Sequence, residues 1–154
     1  MAGVIVRMNE GDSAVDRGAA ALHAETGFPI VLESQMTGKN ELLAGCDDLV
    51  IHAHGSTTKL GRKTAVELAK MLSDSGLTGP VKIMLMACKG GMTGAPFALE
   101  LKVALVQGHK IMAAVAGAKG ILTRNRSTGE WGVKTGGGKV PLDESSMYAT
   151  TCSF

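Results

Sequence analysis

Residues 49–55 read LVIHAHG and residues 83–90 read IMLMACKG. Each is an apolar run that closes on a reactive side chain beside glycine, His54-Gly55 in the first and Cys88 followed by Gly90 and Gly91 in the second. Leu49-Val50-Ile51 is continuous rather than alternating, as expected of a parallel strand buried on both faces. The 88 − 54 = 34 residues between the two side chains hold a loop, one helix and a turn, the content of a single strand-helix-strand crossover. Two such strands side by side, about 5 Å apart, bring His54 and Cys88 to one edge of a sheet.

The rest of the chain fits that frame. Val4–Met8 has strand character, and Asn9-Glu10-Gly11-Asp12 breaks it before Ser13, a helix cap with Asp16 three residues on. Val15, Ala19 and Leu22 then share one helical face, which Gly27 can end. Pro29–Leu32 reads as a second strand and Asp48–Ala53 as the third. Thr64 and Glu67 have capping-box spacing ahead of Ala65, Leu68, Ala69 and Leu72, with Gly76 as a stop. Val81–Met86 is the fourth strand. A helix is expected from Pro96 to about Gln107, with Gly108 after it, and Ile111–Val115 as a fifth strand. The short TGGG at 135–138 reads as loop. Alternating strands and helices predict an α/β fold with a mostly parallel central sheet and helices on both faces. Ligands of such sheets gather at the carboxyl ends of the strands.

Composition bounds the rest. At 154 residues and 45% hydrophobic, one domain over 1–154 with its own core is expected. With 3% aromatic residues and nine methionines, that core is built mainly from small and aliphatic side chains. A net charge of +2 gives no nucleic-acid or membrane surface. No apolar stretch reaches the roughly 20 residues of a membrane span, and the N-terminus lacks the apolar segment of a secretory signal. A soluble, cytoplasmic chain, or one delivered into a target-cell cytosol, is expected. Three cysteines, Cys46, Cys88 and Cys152, make neither an even disulfide framework nor a paired metal motif, which suits a reducing compartment.

Cysteine attacks as the thiolate, and a neighbouring imidazole favours that form. His54 then returns the proton to the leaving group. Gly55 leaves the backbone open to substrate, and its amide with that of Cys88 can stabilise an oxyanion. A competing reading is a metal-dependent hydrolase: His52 and His54 begin an H-x-H pair, with Asp47, Asp48, Cys88 and His109 as scattered further ligands. His23 and His109 are explained by their helix ends.

An apolar run closing on His-Gly, then one closing on Ala-Cys a crossover later, resembles the caspase-like cysteine peptidases, the group of caspases, gingipains, clostripain and separase. The likeness is greatest to the autoprocessing cysteine peptidase domains of bacterial toxins. In those, the histidine strand precedes a helix with an E-L-A core, as in Thr64–Ala69. Their cysteine precedes a glycine turn and a helix with a Phe-Ala pair, as in Cys88–Gly91 and Phe97-Ala98. The resemblance covers about Asp48–Val115. It implies a three-layer caspase-like fold, a Cys88–His54 dyad, no metal, and a protein or peptide substrate, including the chain itself, in an effector or toxin setting. It also implies substrate-binding positions at Gly90, Gly117 and Trp131, with Lys119–Lys139 as a loop bordering the groove. Inositol hexakisphosphate is the activator the toxin domains suggest, with Arg62, Lys63, Lys119, Arg124, Arg126, Lys134 and Lys139 as candidate cations. An inactive binding module of the same fold is the alternative from a different class.

Overall fold

A computed structural model describes residues 2–55, 59–87, 97–118, 121–125, 127–135, 138–141 and 147–149. Cys88, Gly90, Pro96, Lys119 and Arg126 lie outside them.

The expected strands and helices form, with shifted ends. β1 (Ala2–Arg7), β2 (Ile30–Leu32), β3 (Cys46–His52), β4 (Val81–Met86) and β5 (Ala113–Ala118) make a parallel sheet. β9 (Met147–Ala149) adds an antiparallel edge, giving the order β2-β1-β3-β4-β5-β9. β3 and β4 are therefore neighbours, in the register Ile51 to Leu85 and His52 to Met86.

α1 (Ser13–Thr26) covers one face of this sheet. Its cap is Asp12 rather than Ser13: one carboxylate oxygen accepts from the amides of Ala14 and Val15 at 3.0 and 3.1 Å. Gly27 ends it in the left-handed region, φ 73°, its amide on the His23 carbonyl at 2.8 Å. Without a Cβ this conformation carries no steric cost. α2 (Ala65–Asp74) and α3 (Phe97–His109) cover the other face. The Thr64–Glu67 capping box closes in both directions, at 3.0 and 3.3 Å. α3 runs past the expected end: Gly108 stays within the helix, and Lys110, φ 55°, takes the left-handed position instead. The fifth strand begins two residues later than expected and continues to Ala118.

The strands divide their side chains by alternation. Leu49, Ile51, Ile83 and Leu85 join the core under α2 and α3, together with Leu68, Leu72 and Leu101. Ile5, Val50 and Met86 pack with Leu22 under α1. The core is aliphatic as composition requires, with one ring, Phe97, fully buried in it.

The region expected as a groove loop differs. Ile121–Arg124 (β6), Trp131–Thr135 (β7) and Gly138–Pro141 (β8) form a second, antiparallel sheet in the order β6-β7-β8. Of the TGGG run, Thr135 ends β7 and Gly138 begins β8. The turn between β6 and β7 is closed by Asn125, whose amide donates to the Glu130 carbonyl at 2.8 Å, and whose side-chain oxygen accepts from Ser127 and Thr128. This small sheet reaches the α1 side of the main sheet through Leu122 and Trp131.

Candidate active site at the carboxyl edge of the sheet

His54 stands two residues beyond the end of β3, its side chain 57% exposed. Three contacts hold it. Its amide donates to the Asn9 side-chain oxygen at 2.8 Å, and its carbonyl accepts from the Gly61 amide at 2.6 Å. Its ring Nε2 lies 2.7 Å from Asp12 Oδ2. Asn9, itself at φ 53°, and Asp12 belong to the loop between β1 and α1, so one loop grips the histidine by backbone and ring together.

Asp12 holds two sites at once. One oxygen caps α1 and the other meets His54. The hydrogen bond from His54, then those from the Val15 and Ala14 amides, lower its carboxyl below the ordinary 3.8. It is therefore an anion at neutral pH, at a helix N-terminus that favours negative charge. With the Nε2 proton directed to Asp12, the lone pair of the neutral ring lies on Nδ1, the nitrogen that can act as a base.

His52 is different. It ends β3, is 7% exposed, and its Nδ1 donates to the Met86 carbonyl at 2.6 Å. Its ring stands edge-on to Trp131, centroids 6.0 Å apart at 81°, and its Nε2 faces Gly18 of α1. The strand ends between the two histidines, so one ring is buried and the other open to solvent, and the expectation that both point to one face is corrected. Its Nδ1 is thus engaged by the strand next to it and its Nε2 lies against α1. Asp47 and Asp48 sit at the opposite end of β3 and His109 at the end of α3. No cluster of three or more ligand side chains occurs among the described residues.

Burial holds the His52 imidazole below the ordinary 6.5; the Met86 carbonyl opposes this and the nearby His54 adds to it. Since the folded value is the lower one, the unfolded chain takes up the proton first as pH falls. The stability this supplies is complete above about pH 6.5 and is lost as pH falls toward the folded value. The melting temperature should therefore decline as pH falls below about 6.5, and decline less in His52→Gln. Glu10, Asp12, Glu67 and Asp74, all lowered carboxylates, act in a more acidic window, which a melting series resolves.

Beside the two histidines opens a cavity of about 350 Å³. Ala53, His54, Met86 and Ala87 form its sheet-edge wall, Val15, Arg17 and Gly18 of α1 a second wall, and Leu122, Thr123, Arg124 and Trp131 a third. Ala87, the last described residue before Cys88, stands at the same edge as His54, and Cys88 itself lies outside the described residues. Trp131, expected at a substrate groove, lines this cavity, with its Nε1 donating to Glu25 at 3.2 Å. Gly55 bridges to Leu60 in the loop after β3. Gly117 lies buried within β5, paired with Leu85 and Tyr148, and does not line the cavity. Among the candidate cations, Lys63 sits 3.8 Å from Glu33 and Arg124 4.0 Å from Glu25; Arg62 and Lys134 are exposed, and Lys139 is on β8. They occupy two separate parts of the fold, the loop after β3 and the small sheet.

Asp12, Asn9, Arg17 and Leu122 are the participants that sequence reasoning missed. The signal available was an acidic loop closing the first strand immediately before a helix. The chain matches no protein-family model and no curated protein. No helix among the described residues is long and apolar enough to cross a membrane.

Proposed function

We propose that the protein is a cysteine peptidase in which Cys88 is the nucleophile, His54 the proton shuttle and Asp12 the residue that positions His54. The observation that carries this reading is the 2.7 Å contact of Asp12 with His54 Nε2 at the mouth of a cavity that Ala87 also lines. It adds to the resemblance of the two apolar runs to caspase-like peptidases.

In the reaction, His54 Nδ1 takes the thiol proton and the Cys88 sulfur bonds to the substrate carbonyl carbon. The carbonyl oxygen becomes an anion, met by the amides of Gly55 and Cys88. As it collapses, the carbon–nitrogen bond breaks and the imidazolium gives its proton to the leaving amine. Water, deprotonated by His54, then attacks the thioester and releases the acid and the thiolate. Throughout, Asp12 keeps the ring orientated and stabilises its charged form.

Asp12→Asn tests the positioning role. Asparagine caps a helix as well as aspartate, so the melting temperature should barely move, while kcat falls about tenfold or more with KM nearly unchanged. The activity itself is tested by incubating the protein with a thiol-directed peptidyl electrophile, with and without chelator, and locating the adduct by mass. A chelator-insensitive adduct on Cys88, absent in Cys88→Ala, is expected. Hydrolysis that survives Cys88→Ala and disappears with chelator would replace this reading by the metal-dependent one.

A further inference from the structure

The face of the molecule opposite α1 carries an apolar surface that the core does not use. α3 is apolar on all sides. Phe97, Ala98, Leu101 and Leu105 are buried in the core, while Leu99 and Val103, 40% and 41% exposed, point the other way, with the half-buried Val106 beside them. Glu100 and Lys102 are the only full charges among its thirteen residues, whereas the outer face of a surface helix is ordinarily polar. Val66, in the first turn of α2, is 69% exposed. Of the four large apolar side chains exposed among the described residues, Val66, Leu99 and Val103 thus line one groove, of about 680 Å³, between the two helices. An exposed apolar patch rimmed by polar side chains marks an interaction surface.

The charges around the groove say which partner fits it. Those of α2 are satisfied within the helix: Glu67 closes the capping box with Thr64, and Lys70 pairs with Asp74 at 2.6 Å. His109 lies near Asp74, and Lys102, half-buried, does not line the groove. Two charges remain. Glu100 is in the first turn of α3 and Lys110 directly follows its last, both exposed, and neither is in an ion pair among the described residues. The apolar stripe therefore has an anion near one end and a cation beyond the other, about 15 Å apart along the axis. An antiparallel copy of the same helix presents the same stripe with the charges reversed. Leu99, Val103 and Gln107 are spaced by four, the ridge on which two helices most commonly interdigitate. With Val103 facing its own counterpart, Glu100 comes within about 6 Å, along the axis, of the partner's Lys110, a gap that two long side chains span. The opposed helix dipoles favour the same arrangement. A two-fold contact makes each such pair twice and closes at two copies.

We propose that a second copy of this chain docks on the α2–α3 face, the two α3 helices crossing antiparallel about a two-fold axis at Val103. Val66, Leu99 and Val103 are buried in that interface, and Glu100 pairs with Lys110 across it. The proposal draws on no residue of the peptidase site and stands apart from that reading.

Sedimentation of the full chain up to about 500 µM, above the micromolar Kd of a weak specific interface, tests this. A monomer–dimer equilibrium with no larger species is expected. Val103→Lys sets two cations against each other at the axis and should weaken the dimer about a hundredfold or more. Glu100→Lys and Lys110→Glu should each weaken it about three- to tenfold. The double variant restores both pairs with their signs exchanged and should return to within about threefold of the unsubstituted chain. Val103→Cys, in a chain also carrying Cys88→Ala and Cys152→Ala, should cross-link to its own counterpart on mild oxidation, since the remaining Cys46 is buried. All the substituted interface positions are exposed, so unchanged melting temperatures of the variants, taken at dilutions where the chain is monomeric, separate lost docking from lost folding. A chain that stays monomeric over the whole range, or a dimer that Val103→Lys leaves intact, would overturn the assignment. So would open-ended association, or a double charge variant no tighter than the single ones.

Discussion

Alanine in place of Cys88 should lower turnover of a peptide reporter by about a thousandfold or more, because it removes the proposed nucleophile. The His54→Ala variant should lose about a hundred- to ten-thousandfold, the range of a general acid-base that also activates its nucleophile. Because the two act as one unit, the double variant should be no slower than Cys88→Ala alone. Both substitutions should leave the fold intact. His54 is mostly exposed, and its backbone contacts to Asn9 and Gly61 do not involve the ring. Melting temperatures within a few degrees of the unsubstituted protein, alongside these losses, separate a chemical role from a structural one. An unchanged rate in His54→Ala would remove the dyad.

The second large effect is on stability. Gly18 lies in the interior of α1, where alanine normally gains about 0.5–1 kcal/mol over glycine. Here a Cβ would collide with the His52 ring, reaching its Nε2 and standing 2.9 Å from both Cδ2 and Cε1. That ring has little freedom to yield, since the Met86 carbonyl holds one side and Trp131 stands against it. Overpacking of this kind costs about 1–3 kcal/mol, so Gly18→Ala should destabilise by about 1–2 kcal/mol, and Gly18→Leu by about 3 kcal/mol or more. Gly108 provides the control. It too is helical, but a Cβ there meets nothing within 4 Å, so Gly108→Ala should be neutral or stabilising by up to about 1 kcal/mol. Chemical unfolding of the three variants checks the contrast; equal effects at both glycines would show that His52 does yield.

The parts of the fold legible in the sequence are those where local pattern and tertiary packing agree. Val81–Met86 appears where expected because its apolar run and the glycine and proline before it leave no other register. Thr64 and Glu67 cap α2 because both hydrogen bonds are local. Disagreement arises where packing decides. Ser13 and Asp12 are both good caps, and it is the reach of Asp12 to His54, 42 residues away, that gives the aspartate a second partner. Gly108 looked like a stop, yet the helix continues one residue past it and places the left-handed residue at Lys110. The small sheet was illegible for a different reason. Its strands have four or five residues, too few to show alternation, and the polar turn 125–130 and the glycines at 136–138 mask them.

The candidate site was legible in part. The adjacency of β3 and β4 follows from the continuous apolar runs, and His54 stands at the expected edge. Asp12 was hidden because nothing in a single sequence marks which acidic loop residue folds back on a histidine. The distinction between His52 and His54 was hidden by the strand's end, since period-two alternation describes only residues that are in the strand.

The proposed activation of Cys88 by His54 is tested most directly by the rate of Cys88 alkylation by iodoacetamide as a function of pH, with modified sites assigned by peptide mass. Cys46 serves as the internal reference, a thiol whose burial pushes its pKa up and which should react slowly throughout. Cys88 should react with a midpoint well below the roughly 8.5 of a free thiol, and His54→Ala should move that midpoint up to it. A Cys88 midpoint at the free-thiol value, unmoved by His54→Ala, would contradict the claim.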